Sequence, residues 1–346
     1  MADSSNSEFL GTLRSHLGAK GTPAIARDPV NQPMIRHWCD AMKNDHPIYT
    51  DPDYAAKSVH GEIVAPPTML NAWNMLGNIE RIPDPRDPQS NVITLLDDAG
   101  FTSVVATNCE QEYARYLRLG DELSAVLVLE DISEEKHTGL GIGHFVTTTN
   151  EYRNQHDEVV GRMRFRILKF RPGTGKTAPA SEGAAPAARP AAQRHPETTR
   201  ERRESTLRFA EVEVGEELPT CPIPITTTLI VACAIASRDY QDVHHDRDLA
   251  IERGSPDIFM NILTSSGLCG RYISDWAGPE ALLQSLSIRL GAPNYPGDTM
   301  TMSGSVLSKE DQDGTGLVSV GLRGSNGLGD HVTGSVKLAL PIGAGA

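Results

Sequence analysis

Two side chains with proton-transfer chemistry stand five residues apart in the charged loop Ser237-Arg238-Asp239-Tyr240-Gln241-Asp242-Val243-His244-His245-Asp246, which follows the apolar run 230–236. A loop between two elements can turn Asp239 and His244 into one cleft. A carboxylate and an imidazole there can hold one water between them. One group takes a proton from the water as it attacks, and a proton returns to the neighbouring carbon; adding water across an activated double bond requires this. An Asp near a helix end is also commonly a cap, and a loop His commonly faces solvent, so the pattern alone leaves both readings open. His244, His245 and Asp246 are metal-ligand types. Adjacent residues rarely share an ion, however, and no further ligand cluster follows, so no metal is expected.

The elements that must position this pair fall into two halves. Residues 172–205 hold eight Ala and five Pro, and no Val, Ile, Leu, Met, Phe, Trp, Tyr or Cys. Such a stretch cannot bury enough apolar surface to offset its ordering entropy, so it reads as a disordered linker between domains 1–171 and 206–346. Each half opens with helical patterning, passes through a polar loop and a second helical pattern, and ends in alternating strand-type runs. These runs include 123–129 and 162–170 in the first half, and 299–307, 317–322 and 331–340 in the second. Gly120-Asp121-Glu122-Leu123 and Gly297-Asp298-Thr299-Met300 open strands in matching places, and 157–161 parallels 330–334. Their shared order predicts an internal duplication. Helix first, then antiparallel strands, twice over, gives an α+β class.

Composition removes several function classes. A net charge of −13 argues against nucleic acid, whose binding needs cationic surface. No window approaches the ~20 apolar residues that span a bilayer, and the first residues lack a basic start followed by an apolar run, so neither membrane insertion nor secretion is expected. The five cysteines (Cys39, Cys109, Cys221, Cys233, Cys269) form no C-x-x-C pair. They read as small buried thiols in a reducing cytoplasm.

Asp239-x-Gln241-x-Val243-His244, followed by five residues and Ala250, resembles the signature of MaoC-like (R)-specific enoyl-CoA hydratases, the hydratase 2 family. That signature is Asp-x-Asn-Pro-aliphatic-His, then x5 and a small residue. Gln241 stands for the Asn and Asp242 for the Pro. Over a longer span, SRDYQDVHHDRDLA, DIFMNILTSSGLCGRYISDWAGP and GLGDHVTGSV resemble the smaller subunit of the actinobacterial steroid side-chain enoyl-CoA hydratases. DPVNQPMIRHWCDAM and PIYTDPDYAAKSVHGEIVAPPTM resemble the MaoC-like part of the larger subunit. The chain therefore looks like the two subunits fused. The larger subunit of that family usually continues into a zinc-binding OB-type domain, which is not expected here.

The resemblance implies a double hot-dog fold, each unit a long helix wrapped by an antiparallel sheet, with two chains associating as a homodimer. Asp239 and His244 are the implied catalytic pair. Aligned on the repeat, Asn44 and Tyr49 occupy their places in the first half. Asn cannot accept a proton as carboxylate does, and Tyr titrates far above neutrality, so that half is expected to shape a pocket only. Tyr49, Pro66 and Pro67 are the candidate pocket wall; His46 and His60 read as loop residues. The thioester oxygen gains charge in the reaction and needs backbone N–H donors at a helix start, which the resemblance places at Met260 and Asn261. Arg153, Arg162, Arg164, Arg166 and Lys169 form the main basic cluster. On a strand their alternation reads as a solvated sheet face before it reads as a phosphate site. The activity implied is hydration of the 2,3 double bond of an acyl-CoA, the acyl group a steroid with a shortened, three-carbon side chain. No metal or redox cofactor is expected, because hydration transfers no electrons; coenzyme A arrives on the substrate. A downstream aldolase is a further implied partner. A hot-dog thioesterase, a dehydratase on other acyl thioesters, and a non-catalytic acyl-CoA-binding scaffold are the rival readings.

Overall fold

A computed structural model describes residues 2–79, 84, 86–175 and 200–343, with side chains from residue 7 onward. The helices are Ala2–Arg14 (α1), Gln32–Met42 (α2), Pro47–Thr50 (α3), Pro52–Ala55 (α4), Pro88–Asp98 (α5), Thr227–Ala236 (α6), Arg247–Glu252 (α7) and Ile262–Ala277 (α8). The strands are Ala24–Ile25 (β1), Ser103–Tyr113 (β2), Ser124–Ile132 (β3), Lys136–His137 (β4), Ile142–Arg153 (β5), Val159–Phe170 (β6), Glu217–Pro224 (β7), Leu282–Leu290 (β8), Thr299–Gln312 (β9), Thr315–Asn326 (β10) and Gly329–Leu340 (β11).

All strand pairs are antiparallel, in the order β1-β3-β5-β6-β2-β8-β11-β10-β9-β7, with β4 on β5. The two halves thus share one sheet. Its seam is β2 against β8, with Asn108 opposite Arg289 and Glu112 opposite Ser285. The strands obey the period of two: Met300, Met302 and Val306 of β9 and Val318, Val320 and Leu322 of β10 are buried, while their neighbours are more open. A main core runs through both halves, from Ile35, Trp38 and Met42 to Leu268, Val320 and Val336.

The long helix α8 is the centre of that core, with every side chain but Ser274 buried. Its backbone lies close to the first half. A Cβ on Gly267 would sit 2.9 Å from the Trp38 ring, and one on Gly270 would sit 2.8 Å from Thr68 Cγ2.

The first half departs from the expected architecture. Where a second long helix was implied, the chain makes only two short 3-10 turns, Pro67–Met69 and Ala72–Asn74. Neither carries a side-chain cap, and Asn71, Asn74, Gly77 and Asn78 are poor helix formers. The Asn74 amide donates instead to the Ala24 carbonyl (2.8 Å). A satellite core of Leu13, Val92, Leu96 and Phe101 packs on Leu129, Ile132, Val146 and Ile167. It brings α1 and α5 onto the first-half sheet.

Residues 176–199 of the expected linker lie outside the described residues. Residues 200–205 do not hang free. Arg200 bonds the Lys43 carbonyl and Asp45 and pairs with Asp275 at 3.0 Å. Arg202 donates to the Asp45 carbonyl (2.7 Å), and the Arg203 N–H to the Asp275 carbonyl (2.9 Å).

Candidate active site

α6 ends in a turn that delivers Asp239. The Arg238 N–H bonds the Ile235 carbonyl and the Asp239 N–H the Ala234 carbonyl, each at 2.9 Å, with Arg238 left-handed at φ 58°. This is a Schellman closure. It swings Asp239 off the helix path into the interior, where it is 6% exposed. Its Oδ1 accepts from the Gln241 N–H (3.4 Å), and one 3-10 turn, Asp242–His244, then carries His244 back towards it.

His244 Nδ1 lies 2.7 Å from the Phe259 carbonyl. A carbonyl only accepts, so Nδ1 holds the proton and Nε2 keeps its lone pair. That lone pair faces Asp239 Oδ2 across 3.6 Å. Burial pushes the His244 pKa below the ordinary histidine value, against the pull of the Asp239 charge. The imidazole is therefore a neutral base at pH 7.

Asn261 completes the group. Its Nδ2 donates to Asp239 Oδ2 (2.9 Å) and Ser237 Oγ (3.1 Å), while its Oδ1 accepts from the Thr264 N–H (2.8 Å) as the N-cap of α8. One side chain thus starts the central helix and holds the carboxylate, and the positive end of the helix dipole lies at the site. Met260 is corrected as an oxyanion donor: its N–H is already bonded to the Asn294 carbonyl (3.1 Å). The Asn261 amide side chain, Ser237 and the Phe259 carbonyl were missed by sequence reasoning. Asn-x-x-Thr at 261–264, an N-cap pattern, was the available signal for the first.

The first half repeats the backbone of this site. Lys43 is left-handed at φ 51°, its N–H bonds the Asp40 carbonyl (3.3 Å), and the Asn44 N–H bonds the Cys39 carbonyl (2.8 Å). Asn44 Oδ1 accepts from the His46 N–H (3.4 Å), as Asp239 does from Gln241. Asn44 and Tyr49 therefore stand in the structural places of Asp239 and His244.

Tyr49 does not line the site around Asp239. It is buried near Ser274 and contacts the His46 ring, and His46 Nε2 donates to the Ser274 carbonyl (3.1 Å). Ser274 is thirteen residues along α8 from Asn261, about 20 Å at 1.5 Å per residue. Pro66 and Pro67 precede Thr68, which packs on Gly270, about 13 Å along the same helix. These three residues therefore meet α8 two turns or more beyond its start and do not adjoin Asp239. The N-half segment that does reach Asp239's loop is 75–76, gripped by Arg238 (Nε to Met75 O, 3.0 Å).

His60 stacks on Tyr116, with ring centroids 4.8 Å apart. The basic cluster is internally satisfied. Arg153 and Arg162 pair with Glu151, Arg164 with Glu130 and Glu110, and Lys169 with Asp97, while Arg166 donates to Thr147. His245 bonds the Tyr240 carbonyl and Asp246 caps α7, so these two do not converge with His244. Among the described residues no three His, Cys, Asp or Glu side chains form a metal-binding group, and no helix is long and apolar enough to cross a membrane.

Residues 15–163 match the family described as FAS1-like, dehydratase domain region. The 3-oxo-4,17-pregnadiene-20-carboxyl-CoA hydratase beta subunit of Mycobacterium tuberculosis is 52% identical over 127 residues, which are 37% of this chain and 95% of that protein. The alpha subunit of the same name is 46% identical over 156 residues, 43% of this chain and 48% of that protein, so the chain spans about half the length of that relative. Among solved structures, a MaoC-like dehydratase gives a TM-score of 0.71 at 21% identity, covering 96% of this chain and 100% of its own. A Mycobacterium tuberculosis protein described as a double hotdog gives 0.62 at 14% identity, covering 92% and 96%. At these identities the structures speak to fold alone, and that fold is the α+β double hot dog. The chain belongs to the MaoC-like hydratase family, similar within one polypeptide to both subunits of a hydratase that elsewhere is two chains.

Proposed function

We propose that this chain is an enoyl-CoA hydratase that adds water across the 2,3 double bond of an acyl-CoA carrying a steroid with a shortened side chain. The observation that carries the reading is the facing pair, His244 Nε2 and Asp239 Oδ2 at 3.6 Å, with the tautomer set by the Phe259 carbonyl. Both atoms accept hydrogen bonds, so a water between them can donate to each and presents its own lone pair outward. The water oxygen attacks C3, and one of its protons passes to the pair. A proton returns to C2, and the thioester oxygen's passing negative charge lies at the start of α8. No electrons are transferred, so the scheme calls on no metal or redox cofactor, and coenzyme A enters as part of the substrate.

The names of the two hydratase subunits support the steroid acyl group. A bulky fused-ring group also fits a first half that has two short turns in place of a long helix. Two chains associate as a dimer of double hot dogs in the cytoplasm, consistent with five free thiols, and the hydrated product passes to an aldolase. The test is incubation with a panel of enoyl-CoA thioesters, straight-chain and steroidal, followed by mass spectrometry. The mass gain of one water, largest in rate with the steroidal thioester, is expected. Release of free coenzyme A without that gain would establish a thioesterase instead.

A further inference from the structure

We propose that Arg238 is a positioning residue that locks first-half residues 75–77 against the catalytic loop, and so gives the enzyme its preference for a bulky acyl group. This rests on the hydratase reading above. Arg238 occupies the left-handed position of the turn that closes α6, with φ 58°. Glycine is favoured there, and any other residue carries backbone strain. A glycine would make the same turn and place Asp239 equally well. The arginine side chain therefore has a task the turn does not need.

Its contacts show the task. Nε donates to the Met75 carbonyl (3.0 Å) and Nη2 to the Leu76 carbonyl (3.3 Å), and a Cβ on Gly77 would lie 3.3 Å from Nη2. These successive carbonyls belong to the segment that stands where a long helix was expected. They follow the Ala72–Asn74 turn and continue no helix. The planar guanidinium presents its donors in a fixed fork, which suits two neighbouring carbonyls.

The first half supplies an internal comparison. Lys43 has the same left-handed turn, the same backbone bonds and a positive charge, yet its side chain is exposed. The backbone geometry is shared by both halves; the side-chain bridge belongs to the half that holds Asp239. The bridge joins two stretches that leave large apolar side chains uncovered: Leu76 and Ile79 in the first half, Ile235 and Tyr240 in the second. In the proposal, these exposed side chains are the apolar surface on which a bulky acyl group packs. Without the bridge, segment 75–77 has lost its hold on the loop that ends in His244.

The test uses Arg238→Gly and Arg238→Lys in the full chain. Arg238→Gly keeps the turn and removes the bridge. Hydrogen exchange at 72–77 is expected to speed up. The ratio of kcat/KM for a steroidal enoyl-CoA to kcat/KM for crotonyl-CoA is expected to fall by about tenfold or more, chiefly through KM for the steroid. Arg238→Lys should recover only part of the ratio, because one ammonium cannot match two carbonyls in a fixed fork. An unchanged ratio would overturn the proposal, as would unchanged exchange at 72–77. So would an equal loss on both thioesters. That result would follow if Arg238 touched the coenzyme A portion, which both share, or merely held Asp239 in place. If the wild-type chain hydrates neither thioester, the hydratase reading fails, and the exchange measurement still decides whether Arg238 holds 75–77.

Discussion

Asp239 and His244 meet as two acceptors, and that mutual lack of a proton is what recruits a donor such as water. Replacing Asp239 with Asn turns one acceptor into a donor, and His244→Ala removes the other. Each is expected to lower kcat by roughly 10²–10⁴-fold, the usual worth of a positioned acid or base, with a smaller change in substrate affinity. Steady-state kinetics on the thioester with the highest wild-type rate checks this; near-wild-type kcat in either variant would remove that residue from the chemistry. Asn261 does two jobs that substitution can separate. Asn261→Ser retains a capping oxygen for α8 and loses the amide that donates to Asp239 Oδ2. Thermal unfolding should report a loss of less than about 2 kcal/mol, while kcat falls by roughly tenfold as the carboxylate loses its orientation. A fall in stability with kcat preserved would make Asn261 a cap and nothing more.

The central element, α8, is tuned for close approach. Gly267 lets the helix backbone meet Trp38 and Met42 of α2, and its missing Cβ is the reason the contact fits. Met42 can swing aside, but the Trp38 ring is wholly buried and has little room to yield. Gly267→Ala would improve helix propensity on an isolated helix. Here it should destabilise the protein by about 1–3 kcal/mol through overpacking, seen as a lower midpoint in urea. A stabilised Gly267→Ala would show that α2 and α8 are less tightly apposed than 2.9 Å implies. The 3-10 turns of the first half are the counterpart: there the chain declines to build a helix, and Arg238 supplies the hold that a helix ladder would have given.

At the scale of the whole molecule, the halves are joined by the β2–β8 seam, by α8 and by the last residues of the expected linker. Fragments 1–185 and 200–346, expressed together, should co-purify, because Arg200 and Arg202 still grip Asp45 and Asp275. A second fragment starting at 206 lacks both arginines and should associate more weakly in the same pull-down. Acid is the second whole-molecule stress. Burial lowers His46 and His331 to about 4. Between pH 6.5, the ordinary histidine value, and 4 the unfolded chain takes up protons that the folded chain refuses, so stability falls as the pH drops through that window. Each histidine contributes at most about 3 kcal/mol. Asp275 works the other way: burial raises its carboxyl to about 6, so it holds a proton in the folded state while the unfolded chain is still ionised. Two histidines against one carboxyl leave a net loss on acidification. Urea unfolding at pH 7 and pH 5 measures it, and His331→Gln should flatten the dependence. Equal midpoints at the two pH values would mean these rings are not held neutral.

That Asp239 and His244 could meet in one cleft was legible from their spacing because the meeting is local: five residues, one turn, one loop. The duplication and the strand runs were legible for the same reason, since a period of two is written into neighbouring residues. Asn44 and Tyr49 were paired correctly with Asp239 and His244 because the repeat preserves a backbone turn with its own short-range hydrogen bonds. What lies along α8 was not legible. Where the segments of Tyr49, Pro66 and Pro67 meet α8, near Ser274 and Gly270, depends on contacts between residues more than two hundred positions apart. Nor could composition show that the Asn261 amide would reach Asp239, or that the Met260 N–H would already be bound to Asn294. Local sequence determined which chemistry the loop could carry and which elements would form. The tertiary structure alone decided which hydrogen-bond partners each polar group met, because a buried donor or acceptor is costly to leave unpaired and takes the partner that a distant strand or helix brings beside it.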